Sequence, residues 1–203
     1  MSTTAWQTHK QRVRLAFLNA AIQLIIEKGY DAVNVTAIAE RADYGRSTFY
    51  LYFRDKEELV WSLLESYMRV TDQRIQEAIV GLESPEREWR AWQIIFAEAE
   101  VQRPFFLSLD GELSRRLRQV QKDYLVAVFT EQLRAGVFSL LVDVPPEITA
   151  RFITGAILDV LEFWMQTPEI GDAPQMAAYF FQLVFRQPPP DLPNIPPQIH
   201  PLG

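Results

Sequence analysis

Apolar residues recur at spacings of three and four along almost the whole chain, and this period is the strongest constraint on the fold. Such spacing places apolar side chains on one stripe of an amphipathic helix, whereas strands would show strict alternation. Gly29 follows the first such segment, where a left-handed C-cap is expected. In that segment, residues 8–28, the stripe consists of Val13, Phe17, Ala20, Leu24 and Ile25. The pattern predicts an all-α protein.

Capping residues and prolines divide the rest of the chain into further helices. Asn34 is suited to N-cap the second helix, and Asp55 with Glu58 resembles a capping box at the start of a long one. Pro104 is expected to interrupt a helix, and Pro145-Pro146 to force a break before the last pair. The remaining predicted helices cover residues 35–42, 46–53, 56–80, 85–101, 105–109, 112–136, 147–166 and 174–186.

Charge and composition narrow the class of protein. The chain has no cysteine, no secretory signal pattern and no apolar stretch that would span a bilayer, which predicts a cytoplasmic protein. Its net charge is −6, yet residues 1–56 carry eight Lys or Arg and five Asp or Glu, against twelve and twenty-one in residues 57–203. A basic N-terminal segment on an acidic body fits a DNA reader, although chance fluctuation explains the charge about as well.

The two predicted C-terminal helices, 147–166 and 174–186, are apolar on nearly all sides. One core cannot cover the whole circumference of a terminal helix, so we expect a second subunit to cover the remainder, with Gly155 and Ala156 allowing close approach. The alternative is a central helix in a larger monomer. Asp159 interrupts this apolar character and would contact a cationic ligand or pair at the interface.

The segment VNVTAIAERADYGRSTFYLYFRDKEEL, residues 33–59, carries the functional signal. Ile38, Ala39 and Ala42 supply the inner face of one short helix, and Phe49 with Phe53 that of the next, as a helix-turn-helix requires. The outward set is a cation, two hydroxyls and two phenols, which suits base edges and phosphates in a major groove. This outward set comprises Arg46, Ser47, Thr48, Tyr50 and Tyr52.

The same segment closely resembles the DNA-binding domain of the TetR (tetracycline-repressor) family over roughly residues 10–60. The matching elements are Gly29-Tyr30, then VTAIA at 35–39, TFYLYF at 48–53 and KEEL at 56–59. The turn departs from the family pattern Ala-Gly-Val-Ser, because Asp43, Tyr44 and Gly45 follow Ala42 here. Asp43 tolerates a left-handed conformation, so we expect the turn to be preserved, whereas Gly45 gives up the N-cap hydroxyl of the recognition helix.

The resemblance implies a function and an architecture. It implies an N-terminal three-helix, homeodomain-like domain at 1–55 and a helical ligand-binding and dimerisation domain at 56–186. Composition, proline-rich and without period, separately predicts an extended tail at 187–203. The resemblance also implies a homodimer, through the helices of residues 147–186, that binds a palindromic operator as a repressor and releases it when an effector binds. The implied DNA contacts are Thr36, Arg46, Ser47, Thr48, Tyr50, Tyr52 and Lys56.

The effector is expected to be small and largely apolar or aromatic, because aromatic residues make up 12% of the chain and many lie in the body. Trp92, Phe96 and Tyr124 are the candidate pocket residues, although core packing explains most such residues equally well. The tail either lies along the body or hangs free. No cofactor, metal site or membrane partner is predicted.

Two other classes of protein compete with a regulator. An enzyme is disfavoured because only His9 and His200 are present and no phosphate-binding glycine motif occurs. Glu98 and Glu100 stand two apart on a helix, and we expect both on a solvated surface. A helical sensor or interaction module of the same fold would have lost the exposed contact residues, which this chain keeps.

Overall fold

The computed structural model describes residues 2–109, 111–138 and 144–196, and within these ranges it contains helices and no strand, which confirms the all-α prediction. A short 3₁₀ turn at Pro168–Ile170 separates the last two helices. The helices are α1 Ser2–Lys28, α2 Val35–Arg41, α3 Arg46–Phe49, α4 Lys56–Ala78, α5 Glu86–Leu107, α6 Gly111–Arg134, α7 Pro146–Gln166 and α8 Ala173–Phe185. None of these described helices is long and apolar enough to cross a membrane.

The predicted caps are confirmed. Gly29 has φ +78, as a left-handed helix end requires, and the Asn34 side chain accepts from the Ala37 N–H at 2.9 Å. Asp55 accepts from the Glu58 N–H at 2.7 Å, while the Glu58 carboxylate reaches back to the Arg54 N–H at 2.6 Å. The start of α4 is therefore held by reciprocal capping hydrogen bonds.

Two helix predictions are wrong. We expected Pro104 to end a helix, with a separate short helix at 105–109, but α5 continues through it to Leu107. Burial of Phe105 against Tyr67, with ring centroids 6.0 Å apart, holds this last turn in place. We also expected a recognition helix over 46–53, but α3 has helical geometry only over Arg46–Phe49 and continues as a turn.

The helices divide between two compact units. Of the described residues, the first unit comprises those up to Val70 and those from Pro104 to Leu113, and the second comprises Thr71–Arg103 and those from Ser114 to Pro196. The core of the second unit is largely aromatic and comes mainly from α5, α7 and α8, with Leu125, Phe129 and Leu133 from α6. Its largest fully buried side chains are Trp92, Phe96, Trp164, Phe180 and Phe181.

Glu98 of the second unit is buried rather than solvated. Glu98 is 4% exposed and forms an ion pair with Arg74, whereas Glu100 is half-buried. The expectation of a surface position for Glu98 was wrong, because a charged side chain at a core-facing position is retained when an opposite charge is buried with it.

Candidate nucleic-acid interface

Phe17 of α1 organises the helix-turn-helix from within. Its ring is fully buried and lies 5.4 Å from that of Phe49 and 6.4 Å from that of Phe53. Tyr44 and Tyr52 contact the same ring at 5.5 and 6.1 Å. Of the predicted inner residues, Ile38, Ala39, Phe49 and Phe53 are buried and Ala42 is half-buried, and the rings of Phe49 and Phe53 pack on this aromatic hub.

The turn between α2 and α3 keeps its shape despite its unusual sequence. Asp43 has φ +61, the left-handed conformation expected of it, and the Tyr44 N–H returns to the Ala39 carbonyl at 2.9 Å. Gly45 is the N-cap of α3 with φ −76, and no side chain caps that helix. The start of α3 therefore lacks one hydrogen bond that serine or threonine would supply.

α3 presents its polar side chains to solvent. Arg46 and Ser47 are exposed, Tyr50 is 51% exposed, and Thr48 is half-buried. Nearby, Arg41 pairs with Glu27 at 2.9 Å and Arg54 with Asp55 at 3.2 Å, whereas Arg46 forms no salt bridge with any described residue. Its guanidinium is therefore available to an external partner.

The other predicted contact residues are less uniform. Thr36 is exposed near the start of α2, and Tyr52 is half-buried because its ring packs on Phe17. Leu51 was not among the predicted residues, yet it is 78% exposed between the two tyrosines. Leu51 lies two positions from both Phe49 and Phe53, so helical period places it on the outer side, and only its apolar chemistry kept it out of the predicted set.

Lys56 is engaged with the loop between α1 and α2. Its ammonium donates to the carbonyls of Tyr30 and Val33, each at 2.7 Å, and lies 3.9 Å from the centroid of the Tyr30 ring. Burial lowers the pKa of Lys56, partly offset by the nearby carboxylate of Asp31. Two of its three N–H donors thus fix the loop that leads into α2.

The predicted effector-lining residues lie in the second unit. Trp92 and Phe96 are fully buried, and Trp92 packs on Phe180 with ring centroids 4.8 Å apart. Tyr124 is half-buried, and burial together with the nearby Asp72 carboxylate raises its pKa. These three residues therefore differ in solvent exposure, and their contact with an effector stays a prediction.

Within the described residues, no group of three or more His, Cys, Asp or Glu could hold a metal ion.

Three features define a helix-turn-helix transcriptional regulator: a buried aromatic hub, a left-handed turn, and a short helix that exposes a cation and hydroxyls. The family model for bacterial regulatory proteins of the tetR family matches residues 17–63. Residues 17–63 are thus identified as a DNA-binding domain of the TetR family of bacterial transcriptional regulators. The relatives and structures that the chain matches are likewise transcriptional regulators and not enzymes.

Relatives and solved structures share this architecture. The chain is 24% identical over 169 residues to the fatty acid metabolism regulator protein of Bacillus subtilis, covering 78% of this chain and 86% of that protein. The structure of SmeT in complex with triclosan has a TM-score of 0.68 at 19% identity, covering 93% of this chain and 97% of the other. The FadR regulator from Bacillus subtilis in complex with stearoyl-CoA has a TM-score of 0.60 at 21% identity, covering 84% and 96%.

Proposed function

We propose that this regulator is a homodimeric repressor that binds a palindromic operator through α3 and releases it when a small, largely apolar or aromatic effector binds. The observation that most directly supports this proposal is the exposure of Arg46, Ser47 and Tyr50 around the fully buried Phe49. On this proposal residues 1–55 read DNA, residues 56–186 bind the effector and dimerise, and residues 187–203 form the tail.

Each polar residue predicted to contact DNA suits a distinct part of the operator. Arg46 has the fork geometry to donate to a guanine edge, and Ser47 and Thr48 suit base edges through their hydroxyls. Tyr50 and Tyr52 carry phenol hydroxyls suited to phosphates, as does the hydroxyl of Thr36. Lys56 retains one N–H beyond the two given to the loop, and that donor is proposed to face a phosphate.

The proposed dimer interface is a stripe of exposed side chains on α7 and α8. Phe152 is 65% exposed, Phe163 54% and Leu183 74%, fractions that a monomer rarely leaves in one apolar region. On α7 the exposed positions Ile148, Phe152, Gly155, Asp159 and Phe163 follow spacings of three and four, so they share one face. A two-fold dimer through this face requires half-sites about 34–36 Å apart on the operator.

The apolar character of the effector is supported by the aromatic core of the second unit and by two neighbours of the same fold. One neighbour is a complex with triclosan, which is mainly apolar, and another a complex with stearoyl-CoA, which joins a long apolar acyl chain to a charged coenzyme A group. An effector weakens operator binding only if it binds more tightly to the form of the dimer that fits DNA poorly. Trp92, Phe96 and Tyr124 are the proposed lining residues.

The test is selection of bound fragments from genomic DNA, followed by gel-shift titration on the selected site and on a scrambled duplex. We expect Arg46→Ala to weaken specific binding by about 1–3 kcal/mol, the range for one base-reading arginine. Arg69→Ala removes another exposed arginine, on α4, and is the matched control. Equal binding of all fragments, with no effect of Arg46→Ala, would favour a sensor module without operator binding.

A further inference from the structure

The described part of the proline-rich tail lies on the second unit at every residue from 192 to 196, which we call the strap. Leu192 packs on the aromatic core, and the side chains of Gln93 and Asn194 hydrogen-bond at 3.1 Å. Two arginines hold main-chain carbonyls of the strap: Arg90 binds that of Pro193 at 2.7 Å and Arg74 that of Pro196 at 2.8 Å.

The spacing of these two carbonyls matches an extended proline helix. A polyproline II segment has three residues per turn, so the carbonyls of residues 193 and 196 face the same side. Arg74 is also fixed by its buried ion pair with Glu98, which gives the strap one rigid anchor. The second unit therefore holds the strap through donors spaced to suit an extended segment.

The strap covers a small recess. Its volume is about 30 Å³, and Gln93, Ala97 and Glu100 of α5 line it together with Ala173 and Pro174 at the start of α8. Asn194 and Ile195 of the strap complete the lining. Ala97 and Ala173 are each 2% exposed, and Ala173 belongs to the same core cluster as Trp92 and Phe96. Small side chains thus separate the recess from the aromatic core.

The contacts that hold the strap are suited to release. Three of its five residues are exposed, and the hydrogen bonds of its carbonyls to Arg90 and Arg74 are open to solvent. Prolines at 193 and 196 have no N–H, so the strap cannot join a ladder of backbone hydrogen bonds. Leu192 and Ile195 are only half-buried, which leaves a small apolar contribution.

We propose that the strap is a releasable lid, and that the effector reaches the aromatic core of the second unit through the recess beneath it. This inference rests on the proposed effector response. The ligand class that fits is a narrow, mainly apolar molecule with a polar end, because alanines meet Gln93 and Glu100 at the recess.

The first experiment measures opening of the strap in the full chain. The chain has no cysteine, so Ala97→Cys places a single thiol on the wall of the recess. We expect Arg90→Met, which removes the donor to Pro193, to speed modification of that thiol by about two- to tenfold, the range for one net hydrogen bond. Ile195→Ala loosens the strap independently and should act in the same direction.

The matched control is Ala177→Cys, a fully buried alanine on α8 that does not line the recess. Faster modification at residue 97 alone supports local release of the strap. Equal acceleration at both positions would show general loosening of the unit, and no acceleration at residue 97 would show a permanent strap; either result overturns the proposal.

The second experiment tests the link to DNA without knowledge of the natural effector. A benzyl group attached to Ala97→Cys through a methanethiosulfonate reagent is larger than the closed recess and therefore holds the strap open, and we expect it to weaken binding to the selected operator by about tenfold, within the usual range of allosteric coupling. The same group on Val80→Cys, 79% exposed in wild type, is the control. Unchanged operator affinity of the recess adduct overturns the proposal that the strap is a lid for the effector. Absence of any specific DNA binding instead contradicts the proposed function and leaves the thiol-access result valid.

Discussion

The recognition segment at 46–52 and the exposed faces of α7 and α8 both present aromatic side chains to solvent, but their surroundings differ. Tyr50 belongs to the same segment as hydroxyl groups and Arg46, which pairs with none of the carboxylates that the structure describes, and the segment lies over the buried Phe49 and Phe53. Phe152, Phe163 and Leu183 stand among apolar and small residues on helices that are apolar almost all round. The first surface suits a polar, charged partner and the second a protein partner.

The difference shows that helical period and exposed chemistry carry separate information. Period locates the buried face in both regions and says nothing about the partner. The partner is indicated by the chemistry of the side chains that remain exposed once the buried face has been assigned. The two regions should therefore fail independently when each is altered, and the following predictions test that separation from the largest expected effect to the smallest.

Phe17→Ala should produce the largest effect, because one ring supports Phe49, Phe53, Tyr44 and Tyr52. We expect a loss of about 3–5 kcal/mol in the free energy of unfolding, measured by urea denaturation, together with loss of operator binding. Dimerisation should persist at temperatures where the second unit stays folded. A loss below about 1 kcal/mol would show that the hub is not the support of the helix-turn-helix.

Leu183→Glu should affect the other region alone. It replaces an apolar contact with a charge in the proposed interface, and we expect the dimer to weaken by about 3 kcal/mol or more. Sedimentation equilibrium measures this change, and circular dichroism should remain that of a folded chain. Val80→Glu makes the same kind of change at a residue of similar exposure, 79% against 74%, and should leave the dimer intact. A stable Leu183→Glu dimer would remove α8 from the interface.

Asp55→Ala should lower stability by about 1 kcal/mol, because the carboxylate that caps α4 is lost. Its hydrogen bond from the Glu58 N–H lowers the pKa of Asp55 in the folded protein. The folded pKa lies below the unfolded one, so this stabilisation is present above the unfolded pKa and is lost as pH falls through the folded value. Wild type and Asp55→Ala should therefore converge in melting temperature toward acid pH. A constant difference at all pH values contradicts the capping role.

Gly45→Ser should have the smallest effect, a gain of a few tenths of a kcal/mol, about the difference between glycine and serine at an N-cap. A Cβ at this position would meet only the Ser47 Oγ at 3.7 Å, and φ −76 suits any residue. Thermal melting measures the gain. If stability falls instead, the start of α3 is held by its glycine for a reason other than space or backbone conformation.

The sequence was sufficient for the helix order, the caps and the buried faces of the helix-turn-helix, because those depend on local period and capping chemistry. It failed at Pro104, where the buried Phe105 holds a helical turn that a local rule would break. It also failed at Glu98, since its buried partner Arg74 is 24 residues away and no spacing reveals such a pair.

The sequence predicted which polar residues form the candidate site, but not which hydrogen bonds and packing contacts each of them makes. Arg46, Ser47 and Tyr50 are exposed as expected, because they lie opposite the buried aromatic face. The position of Lys56 over Tyr30 depends on a loop 26 residues earlier folding back on α4, which no local pattern encodes. Leu51 has the chemistry of a core residue but is 78% exposed, because it lies two positions from both Phe49 and Phe53 and so on the outer side of the segment.

The strap is joined covalently to α8 through the short segment that follows the left-handed cap at Arg186. Its return to the recess is therefore an intramolecular event. Residues 187–191, which connect them, contain three prolines and form a semi-rigid spacer, so the effective concentration of the strap depends on how well that spacer matches the distance to the recess. Contacts too weak to retain a free peptide are sufficient to keep such a tethered segment in place most of the time. A free peptide with the sequence of the strap would need to reach a comparable concentration to displace it, so tether length offers a way to tune how often the recess is open.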